Sequence, residues 1–398
     1  MKIPIIRIPF LTEDKEFISS NISNVLDTGY LTMGGYTKKF EDLFRKFTGA
    51  KHALATSNCT SAIEIIIRSL GIEGKSIIVP TNTFLATALA VMHSGNKIIF
   101  ADSDPRTFCL DPNDIKNKIN RDTRAIILVH IGGIITPDYE KIKKICDEND
   151  IYLIEDCAHA HGCSINGMSA GTLGIAGAFS FFPTKTLVTG EGGIITTNDD
   201  KLYKKASMIR NHGKNPNMEN KISEFGYNYR ISEITAVIGV QQMQKAEHII
   251  SERRKIAGWY GELLSKVDHV SPLEIPDNII STYYKYIINL SEEYNCAKVK
   301  QRMKGRYGVS LTGEVYIDLC HNEPIWEKYT YCGKKRNTSR GVQCVKWPSC
   351  GCEDNQKDFP GAIYLSKHHL CLPLYLGLTK EEVKYVVDAL SNTLEDFK

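Results

Sequence analysis

Ser180-Phe181-Phe182-Pro183-Thr184-Lys185-Thr186-Leu187-Val188-Thr189-Gly190-Glu191-Gly192-Gly193 decides how this chain is read. An apolar run closes at Ser180, and Pro183 stiffens the approach to Lys185. Gly190, Gly192 and Gly193 let the backbone pass close to another group. A lysine in a turn is ordinarily a solvated charge, but a plain surface loop needs none of this setting. Upstream, the apolar run 151–154 ends in Glu155-Asp156-Cys157-Ala158-His159. It reads as a strand delivering a carboxylate at its end.

Working outward, the pattern alternates. Residues 59–70 and 83–93 read as helices, 76–79 and 97–101 as strands. A buried strand is expected at 124–129, a polar helix at 138–148, and further strands at 177–181 and 193–197. This predicts an α/β fold with a mostly parallel sheet flanked by helices. Such sheets bind ligands at the carboxyl ends of their strands. Asp156 and the turn that opens the helix at Thr60 both fall there. Residues 12–48 are polar and amphipathic, with a turn at 28–35. Beyond Arg230, helices are expected at 232–244, 252–264, 298–306 and 379–396, and a strand at 280–290. The chain therefore divides into a large domain, 1–245, and a smaller α+β domain, 246–398. Residues 328–358, polar and rich in Lys, Asn, Gly and Cys, read as a long surface loop.

Composition narrows the classes. The 398 residues are 42% hydrophobic and 24% charged, an ordinary globular balance. A net charge of +3 makes no case for nucleic acid or an anionic membrane. No apolar run is long enough to span a bilayer, and the first residues lack a signal-peptide pattern. A cytoplasmic protein is expected. Of twelve cysteines, Cys59, Cys109, Cys146, Cys157 and Cys163 read as small core or turn residues in a reducing compartment. Cys332, Cys344, Cys350 and Cys352 share one polar segment without C-x-x-C pairs, so free thiols are expected there rather than a metal.

Each candidate has a plainer reading beside it. Asp156 could be a helix cap, yet the small Cys157, Ala158 and Ala160 leave room for a flat ring. His159 and His161 are open to either reading, ligand or satisfied polar residue. A metal on Asp156, His159 and His161 is weaker, because that spacing after a strand seldom converges. Ser57-Asn58-Cys59-Thr60-Ser61-Ala62 offers hydroxyls and free amides at a helix N-terminus, an anion site or an ordinary cap. Neither a Walker-type loop nor G-x-G-x-x-G occurs. An amine at a glycine-rich turn and a carboxylate at a strand end suit an aldehyde cofactor on a pyridine ring. The amine forms a Schiff base, and the carboxylate keeps the ring nitrogen protonated so that the ring accepts electrons.

With those residues in view, the chain resembles the fold-type I, pyridoxal-phosphate-dependent sugar aminotransferases of the DegT/StrS group. The resemblance runs over most of the chain. Its motifs include Thr28-Gly29-Tyr30-Leu31-Thr32, Pro80-Thr81-Asn82-Thr83-Phe84, Glu155-Asp156-Cys157-Ala158-His159-Ala160-His161-Gly162 and the Lys185 stretch. Gly226-Tyr227-Asn228-Tyr229-Arg230-Ile231-Ser232-Glu233 and Cys371-Leu372-Pro373-Leu374-Tyr375 complete the set. It implies a pyridoxal 5'-phosphate cofactor joined to Lys185, which also shuttles the proton. Asp156 would pair with the pyridine nitrogen. Phe84 and Ala158 would flank the ring, and Thr60, Ser61 and Ser180 would hold the phosphate. His159 would contact the phenolic oxygen. Asn228 would reach the neighbouring subunit's phosphate in a homodimer with shared active sites.

The implied activity moves an amino group from glutamate or glutamine to a keto sugar, nucleotide-linked, in amino-sugar biosynthesis serving polysaccharides or antibiotics. Alternatives are a deoxysugar dehydratase using the same cofactor, a cyclitol aminotransferase, or a non-catalytic binding protein on the same fold. Substrate-facing residues would lie at 30–33 and in Gly313-Glu314-Val315-Tyr316. Two departures stand out: many members carry Gln where this chain has His159, and Gly where it has Cys59.

Overall fold

The computed structural model of the protein describes residues 1–8, 10–311, 313–326 and 359–397. The loop expected at 328–358, with its four cysteines, lies outside the described residues. Seven strands form the central sheet, in the order His52–Thr56, Gly193–Thr197, Ala176–Ser180, Tyr152–Asp156, Thr123–Val129, Ser76–Pro80 and Lys97–Ala101. Gly193–Thr197 runs antiparallel to both neighbours. Every other adjacent pair is parallel.

The strands read as apolar runs because both sheet faces are covered. Ser76–Pro80, Ala176–Ser180 and Gly193–Thr197 are buried at every residue. The pleat sends alternate residues to opposite sides. Ile77, Val79 and Ile127 enter one core with Ile63 and Ile66 of the helix Cys59–Ser69. Ile78, Ile126 and Leu128 enter the other, with Phe40 and Phe44 of the helix Gly35–Thr48. Each fully buried Ile or Phe contributes about 2 kcal/mol relative to exposure.

A third core lies in the C-terminal part. An antiparallel sheet of Val270–Pro272, Tyr286–Leu290 and His369–Leu372 packs against Ala246–Leu264, Cys296–Tyr307 and Lys380–Glu395. Ile256, Tyr260, Ile288, Leu372, Val386 and Leu390 are shared there.

Two expectations change. The helix expected from 252 begins at Ala246, because only Lys245 separates it from Glu233–Gln244 and no Gly or Pro intervenes. The strand expected over 280–290 splits. Ile279–Ile280 pairs with Ser164–Ile165, whereas Tyr286–Leu290 joins the C-terminal sheet. Between them Ser281 Oγ donates to Gly133 O at 2.7 Å and accepts from Tyr283 N at 3.0 Å. Tyr283 takes a left-handed φ of 49°. This turn carries Tyr284 and Lys285 toward the strand ends.

Candidate active site

The loop bearing Lys185 is closed at its base by the sheet. Ser180 and Gly193 face each other across antiparallel strands. Phe181 N donates to Gly192 O at 2.9 Å, and Thr189 N to Phe181 O at 2.8 Å. The fully buried Phe181 ring anchors the loop, 5.0 Å from Phe40 and 5.5 Å from Phe44. Lys185 N donates to Phe182 O at 2.9 Å, and the half-buried side chain leaves the loop toward the site. Its Nζ lies 4.8 Å from the centre of the Tyr284 ring. Gly193 has to be glycine, since a Cβ there would stand 2.4 Å from the carbonyl carbon of Asn58. The lysine loop and the turn before Cys59–Ser69 are thereby pressed together.

Asp156 ends its strand 5% exposed. Its Oδ2 accepts from Thr87 Oγ1 at 2.7 Å, and its Oδ1 accepts from Ala158 N at 3.1 Å. Among the described residues no helix directly follows Asp156, so its carboxylate closes a turn through Ala158 N rather than capping a helix. Glu155, one residue earlier, faces the other side of the pleat. It accepts the N–H groups of Gly171, Leu173 and Gly174 and pairs with His130 Nε2 at 2.9 Å. A buried carboxylate needs such donors. His130, Glu155 and Cys157 are close enough to ligate an ion, but Glu155 is committed to the backbone it braces.

His159 is buried and stacked on Tyr284, with ring centres 4.1 Å apart. Gly132 N donates to His159 Nδ1 at 3.3 Å. The neutral ring therefore carries its proton on Nε2, which donates to Tyr316 Oη at 3.3 Å. Burial first, then the charges of Lys185 and Lys285, hold the imidazole well below its ordinary range. His161 is different. It is fully buried among Phe44, Phe179 and Phe181, and among the described residues neither ring nitrogen has a hydrogen-bond partner. Burial, then Lys185, lowers it from 6.5 to about 3.

Asn58 caps the helix Cys59–Ser69 by accepting from Ser61 N at 2.8 Å. Ser61 Oγ donates to Asn58 O at 2.8 Å, so this hydroxyl serves the turn itself. Thr60 is half-buried beside it, at a first turn whose amides lack intrahelical partners. The Cys59 thiol is pushed well above its ordinary range by burial, then by Asp156, with Lys185 pulling it down.

Ser180 is buried at its strand end, with Oγ accepting from Phe182 N at 3.4 Å. Ala158 is half-buried. Phe84 is 64% exposed, its ring centre 6.4 Å from that of Tyr316. Asn228 is exposed and bridged to Asn211; it stands one residue before Tyr229, whose carbonyl accepts from Ser57 N at 2.9 Å.

Reading the sequence missed Thr87, Tyr284 and Lys285. Thr87 sits inside an apolar helix and carries no local signal. For Tyr284 and Lys285 the available signal was Ser281-Thr282, hydroxyl residues able to start a turn.

The residues fit pyridoxal phosphate. The first-turn amides of Cys59 and Thr60, after the Asn58 that Gly193 packs against, suit a phosphate. A hydrogen-bonded carboxylate at a strand end suits a ring nitrogen, and among the described residues no ion pair joins the Lys185 amine to an acid. Comparison with known proteins agrees. The profile of the DegT/DnrJ/EryC1/StrS aminotransferase family matches residues 12–350. The chain is 34% identical to a GDP-perosamine synthase of Caulobacter vibrioides, over 93% of each chain. It is 34% identical to the UDP-N-acetyl-3-dehydro-alpha-D-glucosamine 3-aminotransferase of Acidithiobacillus ferrooxidans, over 96% of this chain and 94% of that one. Among solved structures it resembles the aminotransferase TlmJ from Streptoalloteichus hindustanus, with a TM-score of 0.82, 26% identity and 98% of each chain covered. Fold, cofactor and reaction class follow together: the chain is a pyridoxal-phosphate-dependent aminotransferase of fold type I and belongs to the DegT/DnrJ/EryC1/StrS aminotransferase family.

Proposed function

We propose that the protein moves an amino group from glutamate or glutamine to a keto sugar carried on a nucleotide, in amino-sugar biosynthesis. The observation that carries this is the Asp156 carboxylate, buried at its strand end and held by Thr87 Oγ1 and Ala158 N, together with a Lys185 amine that among the described residues meets no acid. The relatives, a GDP-perosamine synthase and a UDP-sugar 3-aminotransferase, point to a nucleotide-linked sugar. When bound, pyridoxal phosphate supplies an aldehyde that takes up amino groups and a ring that draws electrons from the adjoining carbon.

The chain's own residues do the rest. Lys185 holds the aldehyde end and moves the proton at the substrate carbon bearing nitrogen. Asp156, fixed by Thr87 Oγ1 and Ala158 N, keeps a proton on the ring nitrogen. The Thr60 and Ser180 hydroxyls and the Cys59 and Thr60 amides bind the phosphate, while Ser61 holds the turn through Asn58. Phe84 and Ala158 flank the ring. His159, neutral and held between Gly132 N and Tyr316, sits at the phenolic oxygen. Tyr284 shields Lys185 from water on one side.

Residues 1–245 are taken as the cofactor-binding domain and 246–398 as the smaller one. The working form is a cytoplasmic homodimer with shared active sites. Supporting this, the large apolar side chains Tyr30, Phe84, Ile222 and Phe225 are 64–89% exposed, and a second copy would cover them. No helix among the described residues is long and apolar enough to cross a membrane.

The test is incubation of the holoenzyme with glutamate or glutamine and a panel of nucleotide-linked keto sugars and cyclitol ketones. Mass spectrometry should find oxygen replaced by amine, with donor consumed in proportion. Lys185→Ala should lose this by at least about 10³-fold. A deoxy ketose formed without donor consumption would make the protein a dehydratase instead.

A further inference from the structure

Lys285 is a second cation at the site, and the proposed chemistry does not use it. Its Nζ lies 5.0 Å from the centre of the Tyr284 ring, the ring that Lys185 Nζ approaches at 4.8 Å. Its main chain is fixed, with Lys285 N donating to Gly132 O at 3.0 Å. Gly132 N in turn holds His159. The residue is half-buried. Lys118, Lys245 and Lys300, sheltered to varying degrees, each meet a carboxylate: Asp114, Asp14 and Glu314. Among the described residues Lys285 has none. Glu314, on the loop that faces it, is engaged by Lys300. Gly313 on that loop brings only backbone to the ammonium, since a Cβ there would stand 2.8 Å from Lys285 Nζ.

Two like charges on one aromatic ring, without an acid between them, are unfavourable in a sheltered place. Their combined pull shows in the Tyr284 phenol. Burial raises it, yet the charges of Lys185 and Lys285, with hydrogen bonds from Thr184 and Lys185, bring it below its ordinary range. Such a pair of cations attracts an anion, and both substrates of the proposed reaction carry one.

We infer that Lys285 receives the anionic group of each substrate in turn: the carboxylate of the amino donor, then the phosphate of the nucleotide-linked sugar. The inference rests on the aminotransferase reading above. Both substrates bring their reacting carbon to Lys185. The ring shared by the two lysines keeps their amines within about 10 Å of each other, so an anion held at Lys285 stays close to Lys185. An ammonium suits this double duty. It is a point charge with three rotatable donors, indifferent to the difference between a planar carboxylate and a tetrahedral phosphate.

The experiment uses holoenzyme carrying Lys285→Met or Lys285→Arg and follows each half-reaction separately by the absorbance of the bound cofactor. One arm adds glutamate; the other adds the amino-sugar product. Succinate and inorganic pyrophosphate serve as unreactive competitors. With Lys285→Met, the half-saturating concentration should rise about ten-fold or more, with the maximal rate within about three-fold. Lys285→Arg should recover most of the loss. A rise in one arm only assigns the anion to that substrate. Unchanged half-saturation in both arms overturns the inference. So does an equal loss in both variants together with a lowered melting temperature, which marks a packing role. If the native enzyme accepts glutamate but aminates no sugar, the functional reading fails while the glutamate arm still reports on Lys285.

Discussion

Replacing His161 with leucine should stabilise the protein, and more so in acid. The imidazole is fully buried, ringed by Phe44, Phe179 and Phe181, and both nitrogens lack partners among the described residues. A buried polar group left unpaired costs about 1–3 kcal/mol. Leucine is close in size but different in shape, which returns about 1 kcal/mol of that as strain. The net gain at pH 8 is then about 1 kcal/mol. Acid adds a second part. The group titrates at 6.5 when unperturbed and at about 3 in the folded protein. Between those values the unfolded chain binds a proton that the native state refuses, so stability falls as pH drops below 6.5. At pH 5 that costs the native state about 2 kcal/mol. His161→Leu escapes the penalty, so its advantage should grow from about 1 kcal/mol at pH 8 to about 3 kcal/mol at pH 5. Urea unfolding of both proteins at the two pH values, followed by tryptophan fluorescence, measures this. The titrations of His159 and the carboxylates are common to both proteins and cancel. An advantage that stays constant with pH, or a variant less stable at both values, would refute the reasoning.

Thr87→Val removes the hydroxyl that donates to Asp156 at 2.7 Å while keeping the shape. It should cost about 1.5–3 kcal/mol in thermal stability and loosen the cofactor about ten-fold, read by equilibrium dialysis. Gly193→Ala drives a Cβ into the Asn58 carbonyl. A loss of about 1–3 kcal/mol is expected, with weaker retention of phosphate in a competition assay. His159→Gln should leave the acid limb of the pH–rate profile in place. His159 is held neutral well below its ordinary range, so it does not titrate across the assay range from pH 6.5 upward. Disappearance of that limb in the variant would show the histidine to be the titrating group.

The strands were legible because a sheet covered on both faces forces apolar runs, such as Ile77-Ile78-Val79, that end at Pro80 or Asp156. The lysine loop was legible because its glycines answer local needs, and Gly193 shows the need as a contact with Asn58. What could not be read was set by distant partners. Tyr283-Tyr284-Lys285-Tyr286 has the residues of one continuous strand. The break comes from Ser281 Oγ bonding to Gly133 O, 148 positions away. Thr87 meets Asp156 across 69 positions. Lys285 passes for the solvent side of a strand until the turn swings it inward. His161 looks like its neighbour His159, yet one pairs with Gly132 and Tyr316 while the other is sealed among phenyl rings.

The pairing of Ser180 with Gly193 has a further consequence. With both feet of the loop zipped into neighbouring strands, the segment behaves as a socket rather than a hinge. Whatever side chain stands at position 185 is delivered to the same point in space. Exchanging that one side chain can change the reaction while the scaffold around it stays as it was, so new chemistry on this frame asks for a swap of tools and no rebuilding of the bench.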